Sequence, residues 1–254
     1  MATLDFALPE GLLVDRAWLK SRGIENTTVD YYLRSGKLEA VVHGIYRKPG
    51  PPLKWQNVVY SLNLLGYDVH VGHMTALTYH GYAHFLMLGK LPSIRLLSPQ
   101  RLPTWVEKVG TFPGFSMMKA GPFPYVKVGM TEVPFGTWDW PICYSSPERA
   151  FIELTSTIDS QEQILQASLM MDGAVDLRPT LLQELLESST SIKAKRLFLW
   201  LARTAGHTWY QYIDVSKIDL GVGKRQIVPG GKLDAEFLIT VPKEAQDGQQ
   251  EPIF

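Results

Sequence analysis

The tract Pro49-Gly50-Pro51-Pro52 is the strongest local constraint on this chain. Proline fixes φ and has no N–H to donate, so neither a helix nor an inner strand passes through such a run. The tract therefore predicts a domain boundary: residues 1–52 form one unit, residues 53–243 a second, and residues 244–254 a flexible polar tail. Within the second unit, residues 53–97 are placed to dock on the first. At 254 residues the chain exceeds a lone recognition module and suits one large or two modest domains. With 45% apolar and 20% charged residues it can bury a sizeable core, which excludes wholesale disorder.

Charge narrows the function classes. The 25 Lys and Arg balance the 25 Asp and Glu, so a uniformly basic nucleic-acid coat is excluded and any basic face must be local. One such region exists. Between Arg16 and Lys54, eight lysines and arginines face only Glu25, Asp30 and Glu39, a local excess of five positive charges. The single cysteine, Cys143, rules out an intrachain disulfide framework and a cysteine-rich zinc site, and its aromatic neighbours suggest a buried, inert thiol. Met1–Glu10 lacks a positive region followed by a long apolar run, and Asp5 interrupts it. The longest apolar run, Leu197–Ala202, falls far short of the about 18–20 residues that span a bilayer. A soluble cytoplasmic protein, with no membrane partner, is the expectation.

The basic region has a readable pattern. Val14–Gly23 predicts a short helix, with Gly23 as its stop. Asn26 or Thr27 then caps a second helix that runs to about Ser35 and stops at Gly36. Val29, Tyr32 and Leu33 share its inner face, while Thr28, Tyr31, Arg34 and Ser35 fall elsewhere. Lys37–His43 and Ile45–Lys48 read as two strands joined at Gly44. Two helices, a tight turn and a small hairpin are the layout of a winged helix-turn-helix, whose first helix would lie before Val14.

Beyond the proline tract, helices are predicted over Trp55–Leu65, Met74–Leu88 (with a break at Gly81), Gln161–Asp172, Thr180–Ser188 and Ser191–Thr204. Ser146-Pro147-Glu148-Arg149 is a helix start: cap, proline at the first position, acid in the first turn. Tyr67–Val71, Ser93–Ser98, Phe115–Lys119, Tyr210–Ile213 and Ala235–Val241 read as strands, and Gly110–Pro141 as short strands and turns. The expected class is mixed α/β (α+β): an N-terminal winged helix-turn-helix followed by a larger α+β domain.

Several ordered blocks also recur in one family: Gly36-Lys37-Leu38-Glu39, Gly44-Ile45-Tyr46-Arg47-Lys48-Pro49, Val69-His70-Val71-Gly72 with Thr75-Ala76-Leu77, and Ser145-Ser146-Pro147-Glu148-Arg149-Ala150. Further on come Lys195–Trp200, Gly206-His207-Thr208-Trp209, and Gly223-Lys224-Arg225 through Asp234. From about Asp15 to Pro242 the sequence resembles the AbiEi-type antitoxins of type IV (abortive infection, AbiE) toxin–antitoxin systems. The resemblance implies a winged helix that binds inverted repeats in operator DNA and represses its own operon. It implies a C-terminal domain that opposes a nucleotidyltransferase-like toxin without needing a stable complex.

Candidate contacts follow from residue chemistry. Thr27, Thr28, Tyr31 and Arg34 carry donors and acceptors on the presumed outer face; arginine grips guanine bidentately, and hydroxyls meet phosphate or a thymine methyl. Lys37, His43, Arg47 and Lys48 flank the wing and are placed to neutralise phosphates. Tyr32 and Tyr46 read as core. A second basic face is predicted from Lys193, Lys195, Arg196, Arg203, Lys224, Arg225 and Lys232, should they meet in space.

Other chemistries find weaker support. His70, His73, His80 and His84 include one i, i+4 pair, but no HExxH arrangement and no cysteine accompany them; the reading is no metal and histidines that cap, pack or lie on the surface. Gly221-Val222-Gly223-Lys224-Arg225 lacks the Walker spacing, with Arg225 where Ser or Thr must stand. Asp234, Glu236 and Lys243 are the residues to check for a nuclease, but Lys243 lies beyond Pro242 and points back poorly. No G-x-S-x-G elbow supports a serine hydrolase. Glu148 and Arg149 read as structural ion-pair formers. The expectation is an antitoxin and autorepressor with no cofactor and no catalytic activity. The alternatives are a plain regulator with a ligand-sensing or oligomerising C-terminal domain, and a nuclease.

Overall fold

The structure, a computed structural model, describes residues 8–82, 93–111, 113–119, 121–123 and 127–242. It divides into two units. The first takes in residues 1–71, 91–119 and 132–143; the second takes in 72–90, 120–131 and 144–254.

The first unit opens with β1 (Val14–Asp15), α1 (Arg16–Ser21), α2 (Asn26–Arg34), β2 (Glu39–Val42) and β3 (Ile45–Arg47). The three strands form one sheet in the order β1-β3-β2, antiparallel throughout. Asp15 therefore does two jobs: it ends β1 against Ile45, and its carboxylate accepts from the Trp18 N–H at 2.7 Å to cap α1. Gly23 and Gly44 take φ of +80° and +81°, the left-handed backbone that closes the inter-helix turn and the wing tip without a Cβ penalty. Val14, Leu19, Ile24, Val29, Leu38 and Tyr46 are all buried in one cluster, with Trp18, Tyr32 and Leu33 packed against it. This is a winged helix-turn-helix.

After the proline tract come α3 (Trp55–Leu64), started by the Lys54 N–H donating to Asn57 Oδ1 at 2.8 Å, and β4 (His70–Val71). With β5 (Ile94–Ser98), β6 (Phe115–Lys119), β7 (Met130–Phe135) and β8 (Trp140–Ser145), β4 builds a five-stranded sheet ordered β6-β5-β4-β8-β7. β4 and β5 run antiparallel and β5 and β6 parallel.

The second unit is mainly helical: α4 (His73–Tyr79), α5 (Pro147–Thr157), α6 (Gln161–Asp172), α7 (Pro179–Ser188) and α8 (Ile192–Ala205). Ser146, Ser160 and Ser191 cap α5, α6 and α8 through their hydroxyls. Gly206, at φ +68°, closes α8. α8 carries the core, with Leu197, Phe198, Leu199 and Trp200 fully buried. Beyond it β9 (Arg225–Gln226), β10 (Lys232–Asp234) and β11 (Ile239–Val241) form a small sheet in the order β10-β11-β9.

Three local expectations are corrected. Asn26 is the first residue of α2, not its cap; Glu25 holds that position and its side chain makes no capping bond. Thr208–Tyr212 is a 3-10 helix where Tyr210–Ile213 reads as a strand, because the buried Trp209 anchors the segment through its indole N–H to the Ala174 carbonyl at 2.8 Å. Only Ile239–Val241 of the expected Ala235–Val241 strand is extended; the Asp234 carboxylate accepts from the Glu236 and Phe237 N–H groups and folds the start into a turn. α4 ends at Tyr79; the rest of the predicted Met74–Leu88 helix beyond Tyr82, the 244–254 tail, and residues 1–7 lie outside the described residues.

Candidate nucleic-acid interface

The inner face of α2 is set by Val29, which is fully buried, with Tyr32 and Leu33 half-buried beside it. That anchoring decides what faces out. Thr27, Tyr31 and Arg34 lie at i, i+4 and i+7, one continuous face, and all three are exposed. Tyr31 keeps 55% of its surface in solvent. Lys37 and His43 are also exposed, Lys37 with its Nζ 5.8 Å from the Tyr32 ring centroid. Thr28 and Lys48 are half-buried.

Arg47 is the residue whose expected role changes. Its guanidinium pairs with Glu39 across the hairpin and donates to the Pro51 carbonyl at 2.8 Å and the Gly50 carbonyl at 3.4 Å. Its side chain is only 13% exposed. It ties the wing to the proline tract and is not offered to phosphate.

Arg16 is a residue that the sequence counts as charge but does not place. Its Nη2 donates to Asp30 Oδ1 at 2.6 Å, its Nε to the Tyr46 hydroxyl at 3.1 Å and its Nη1 to the Asn26 carbonyl at 3.5 Å. The bonds to Asp30 and Tyr46 raise its pKa above the ordinary value, so it stays a cation. It staples α1 to α2 and to the wing, fixing the angle at which α2 presents its outer face. Arg22 stacks over Trp18 at 4.9 Å, leaving Lys20 exposed nearby in sequence. The first unit also holds a cavity of about 380 Å³ lined by Pro51, Lys54, Asn57, Phe135, Trp138 and Trp140.

The seven cations of the second unit do not form the expected face. Arg196 is 1% exposed and donates to four backbone carbonyls: Gly223 at 2.6 Å, Leu220 at 2.7 Å, Gly221 at 3.1 Å and Leu238 at 3.4 Å. Lys195 is 3% exposed and donates to the Asp219 carbonyl at 3.0 Å; burial lowers its pKa. Arg203 pairs with Asp234 and Glu236. Lys193 is half-buried, and desolvation lowers its pKa against the opposing pull of Asp159. Lys224, Arg225 and Lys232 are exposed. Gly221 and Gly223, both at positive φ, shape a turn into β9, so no helix follows to make a phosphate loop.

The same geometry decides the rival chemistries. Asp234 and Glu236 converge on an arginine, and Lys243 lies outside the described residues. His73 is buried, with its N–H on Glu153 Oε2 at 2.9 Å and its Nε2 2.7 Å from the Thr157 hydroxyl. His80 Nε2 lies 3.0 Å from the Ser145 carbonyl, and His70 is buried in β4. His84 lies outside the described residues. Among the described residues no group of three or more His, Cys, Asp or Glu is placed to hold a metal. Arg149 pairs with Glu153 at 2.9 Å, which also accepts from the Ser145 hydroxyl. Glu148 takes a bidentate arginine, Arg178, at 2.9 and 3.0 Å. Burial raises the Glu148 pKa, but the bonds from Arg178 bring it below the ordinary carboxylate value. Both pairs are structural. Cys143 is half-buried, not buried as its neighbours suggest, because it lies in β8 between the inward Ile142 and Tyr144.

A stapled winged helix whose second helix keeps an exposed polar face has the architecture found in helix-turn-helix transcriptional regulators. Residues 1–88 match the family described as transcriptional regulator, AbiEi antitoxin N-terminal domain, and residues 92–242 match transcriptional regulator, AbiEi antitoxin, type IV TA system. The chain belongs to the AbiEi antitoxin family. Among solved structures it is similar to that of the RV2827C protein from Mycobacterium tuberculosis, with a TM-score of 0.57 at 14% identity, over 91% of this chain and 86% of that one. That likeness shows the fold. No curated protein matches significantly. No helix among the described residues is long and apolar enough to cross a membrane.

Proposed function

We propose that the protein is a cytoplasmic antitoxin that binds inverted repeats in its own operator and represses its operon, while the chain beyond the winged helix counteracts a nucleotidyltransferase-like toxin without catalysis of its own. Residues 1–52 carry the DNA-binding surface and residues 53–243 the antitoxin activity. The observation that carries the DNA reading is the face Thr27-Tyr31-Arg34, exposed on a helix whose other side is locked by Val29. α2 enters the major groove; Arg34 reads a base edge, Thr27 and Tyr31 meet backbone or methyl groups, and Lys37 and His43 meet phosphate. Thr28 and Lys48 sit at the margin of the interface, and Arg47 holds the wing. Of the predicted second basic face, Lys224, Arg225 and Lys232 stay exposed to a polyanion, and Lys193 is half-buried.

A gel shift with the DNA upstream of the operon tests this. Arg34→Ala with Lys37→Ala weakens binding by at least about tenfold and lowers the salt slope by about one for each phosphate that is no longer neutralised. An unchanged midpoint and slope rejects the assignment. A second reading, a regulator that senses a small ligand, is favoured by the cavity, since its Pro51 wall is held by the wing's Arg47. Rescue of growth on co-expression with the toxin separates the two.

A further inference from the structure

The cavity of the first unit shares its walls with the framework of the winged helix. Its aromatic side is made by the tight reversal between β7 and β8. In an extended strand Trp138 and Trp140, two positions apart, would lie on one face. Gly136 at φ +71° and Asp139 at φ +49° are both left-handed, and the alternation breaks between the tryptophans. Trp140 turns into the core, 7% exposed and stacked on Tyr60 with ring centroids 4.6 Å apart. Trp138 lines the cavity with 58% of its surface in solvent.

Polar groups complete the lining. Glu10 is exposed and packs on Gly50, its Oε1 2.6 Å from where a Cβ would stand there. Lys54 is exposed, with its Nζ 5.9 Å from the Phe135 ring centroid. At about 380 Å³ the cavity is at the small end of ligand pockets, which run to about 300–1,000 Å³. Its chemistry narrows the ligand. A purely apolar molecule would desolvate Glu10 and Lys54 without pairing either. An aromatic amino acid would bring its ammonium to a rim that already holds a lysine. What fits is a flat ring to lie on Trp138, an edge of neutral N–H donors for the Glu10 carboxylate, and an acidic group for Lys54. A guanine nucleotide carries all three.

We propose that this cavity binds a free guanine nucleotide and that its occupancy tunes operator binding. The site stands on the cavity itself; the tuning rests on the operator-binding reading above. Three walls continue into the winged helix. Trp140 is buried in one cluster with Val29, which anchors α2, and Phe135 packs against that cluster. The Pro51 carbonyl accepts from the wing's Arg47 at 2.8 Å. The Asn57 carbonyl accepts from the Ser61 hydroxyl at 2.6 Å, and the same hydroxyl oxygen accepts from the Leu13 N–H at 2.9 Å, just ahead of β1. A ligand that shifts these walls shifts the frame on which α2 is presented. The coupling is reciprocal: operator DNA changes the affinity for the nucleotide by the same factor.

Calorimetry on the full chain titrates GMP, guanosine, AMP and tryptophan into the unmodified protein and into Trp138→Ala, Glu10→Gln and Lys54→Gln. An unchanged far-UV dichroism spectrum and Tm verify the fold of each variant. GMP binds the unmodified chain, and Trp138→Ala weakens it by at least about tenfold. Glu10→Gln erases the preference for GMP over AMP, and Lys54→Gln brings GMP down to the affinity of guanosine. No binding of GMP up to about 1 mM, variants that bind as the unmodified chain does, or a preference for tryptophan overturns the nucleotide site. So does a short single-stranded RNA ending in guanosine that binds where GMP does not. In the operator gel shift, saturating GMP moves the midpoint by at least about fivefold, and the effect vanishes in Trp138→Ala. GMP binding with an unmoved midpoint overturns the tuning alone. Failure of the chain to shift operator DNA at all overturns the operator reading, and the calorimetry still decides the site.

Discussion

Replacing Arg196 by methionine isolates one buried charge of the second unit. The side chain is 1% exposed and spends its donors on the carbonyls of Leu220, Gly221, Gly223 and Leu238. Three of those bonds, at 2.6, 2.7 and 3.1 Å, are strong, and the fourth at 3.4 Å is marginal. A hydrogen bond to a charged group is worth about 1.5–3 kcal/mol when its partner is left buried. Here the Gly221 and Gly223 carbonyls belong to exposed residues and regain water, and methionine preserves the packing of the stem. The net loss works out at about 3 kcal/mol, concentrated in the 219–226 turn. At about 2–4 °C per kcal/mol for a chain of this size, the Tm of the second unit falls by about 6–12 °C. Thermal dichroism reads the fall, and hydrogen exchange reads loss of protection in the turn. Arg196→Lys recovers part of it at most, because one ammonium cannot reproduce the planar fork. A fall of under about 2 °C with unchanged exchange would refute the argument that this guanidinium organises the turn.

Arg47→Ala lowers stability of the first unit by about 1 kcal/mol, since a half-exposed pair and two carbonyl bonds are removed, and any weakening in a gel shift disappears when the assay is cooled to restore folding; weakening that persists would return Arg47 to the DNA interface. Glu148 titrates below its ordinary value in the folded chain, so its pairing stabilises above the unfolded pKa of about 4.5 and is lost as pH falls through the folded value. The Tm gap between the unmodified chain and Arg178→Met is therefore full at pH 7 and closes below about pH 4.5; a gap constant from pH 3 to 7 would exclude the pair as its source. Gly129→Ala costs about 2–3 kcal/mol, because φ is +71° and the new Cβ would stand 3.2 Å from Ser146 Oγ and 3.3 Å from both Arg149 Cβ and Leu185 Cδ1; urea melting with a midpoint shift below about 0.3 M argues against that crowding.

Much of the recognition unit is legible along the chain because its signals are local. The apolar spacing of Val29, Tyr32 and Leu33 orients α2; Gly23, Gly36 and Gly44 mark turns that take left-handed backbone; Ser146-Pro147 starts α5. Each signal acts over a few residues, the range over which helix caps, turns and side-chain faces are determined. The expected strand over Tyr210–Ile213 fails for the opposite reason: Trp209 finds its partner 35 positions away, and that bond overrides local preference.

The fate of the charges belongs to the tertiary structure. By composition Arg34, Arg47 and Arg196 are equivalent cations. In the fold Arg34 stays on an open helix face, Arg47 is absorbed by Glu39 and the proline tract, and Arg196 is buried among carbonyls 24 to 42 positions away. Sequence alone determined that a basic helix-turn-helix stands at the front of this chain. Which cations remain free to meet a polyanion was decided by the fold, because a guanidinium is held by whichever oxygens are brought to it: Arg47 by oxygens 3 to 8 positions away once the hairpin and the proline tract close on it, Arg196 by carbonyls that only long-range packing supplies.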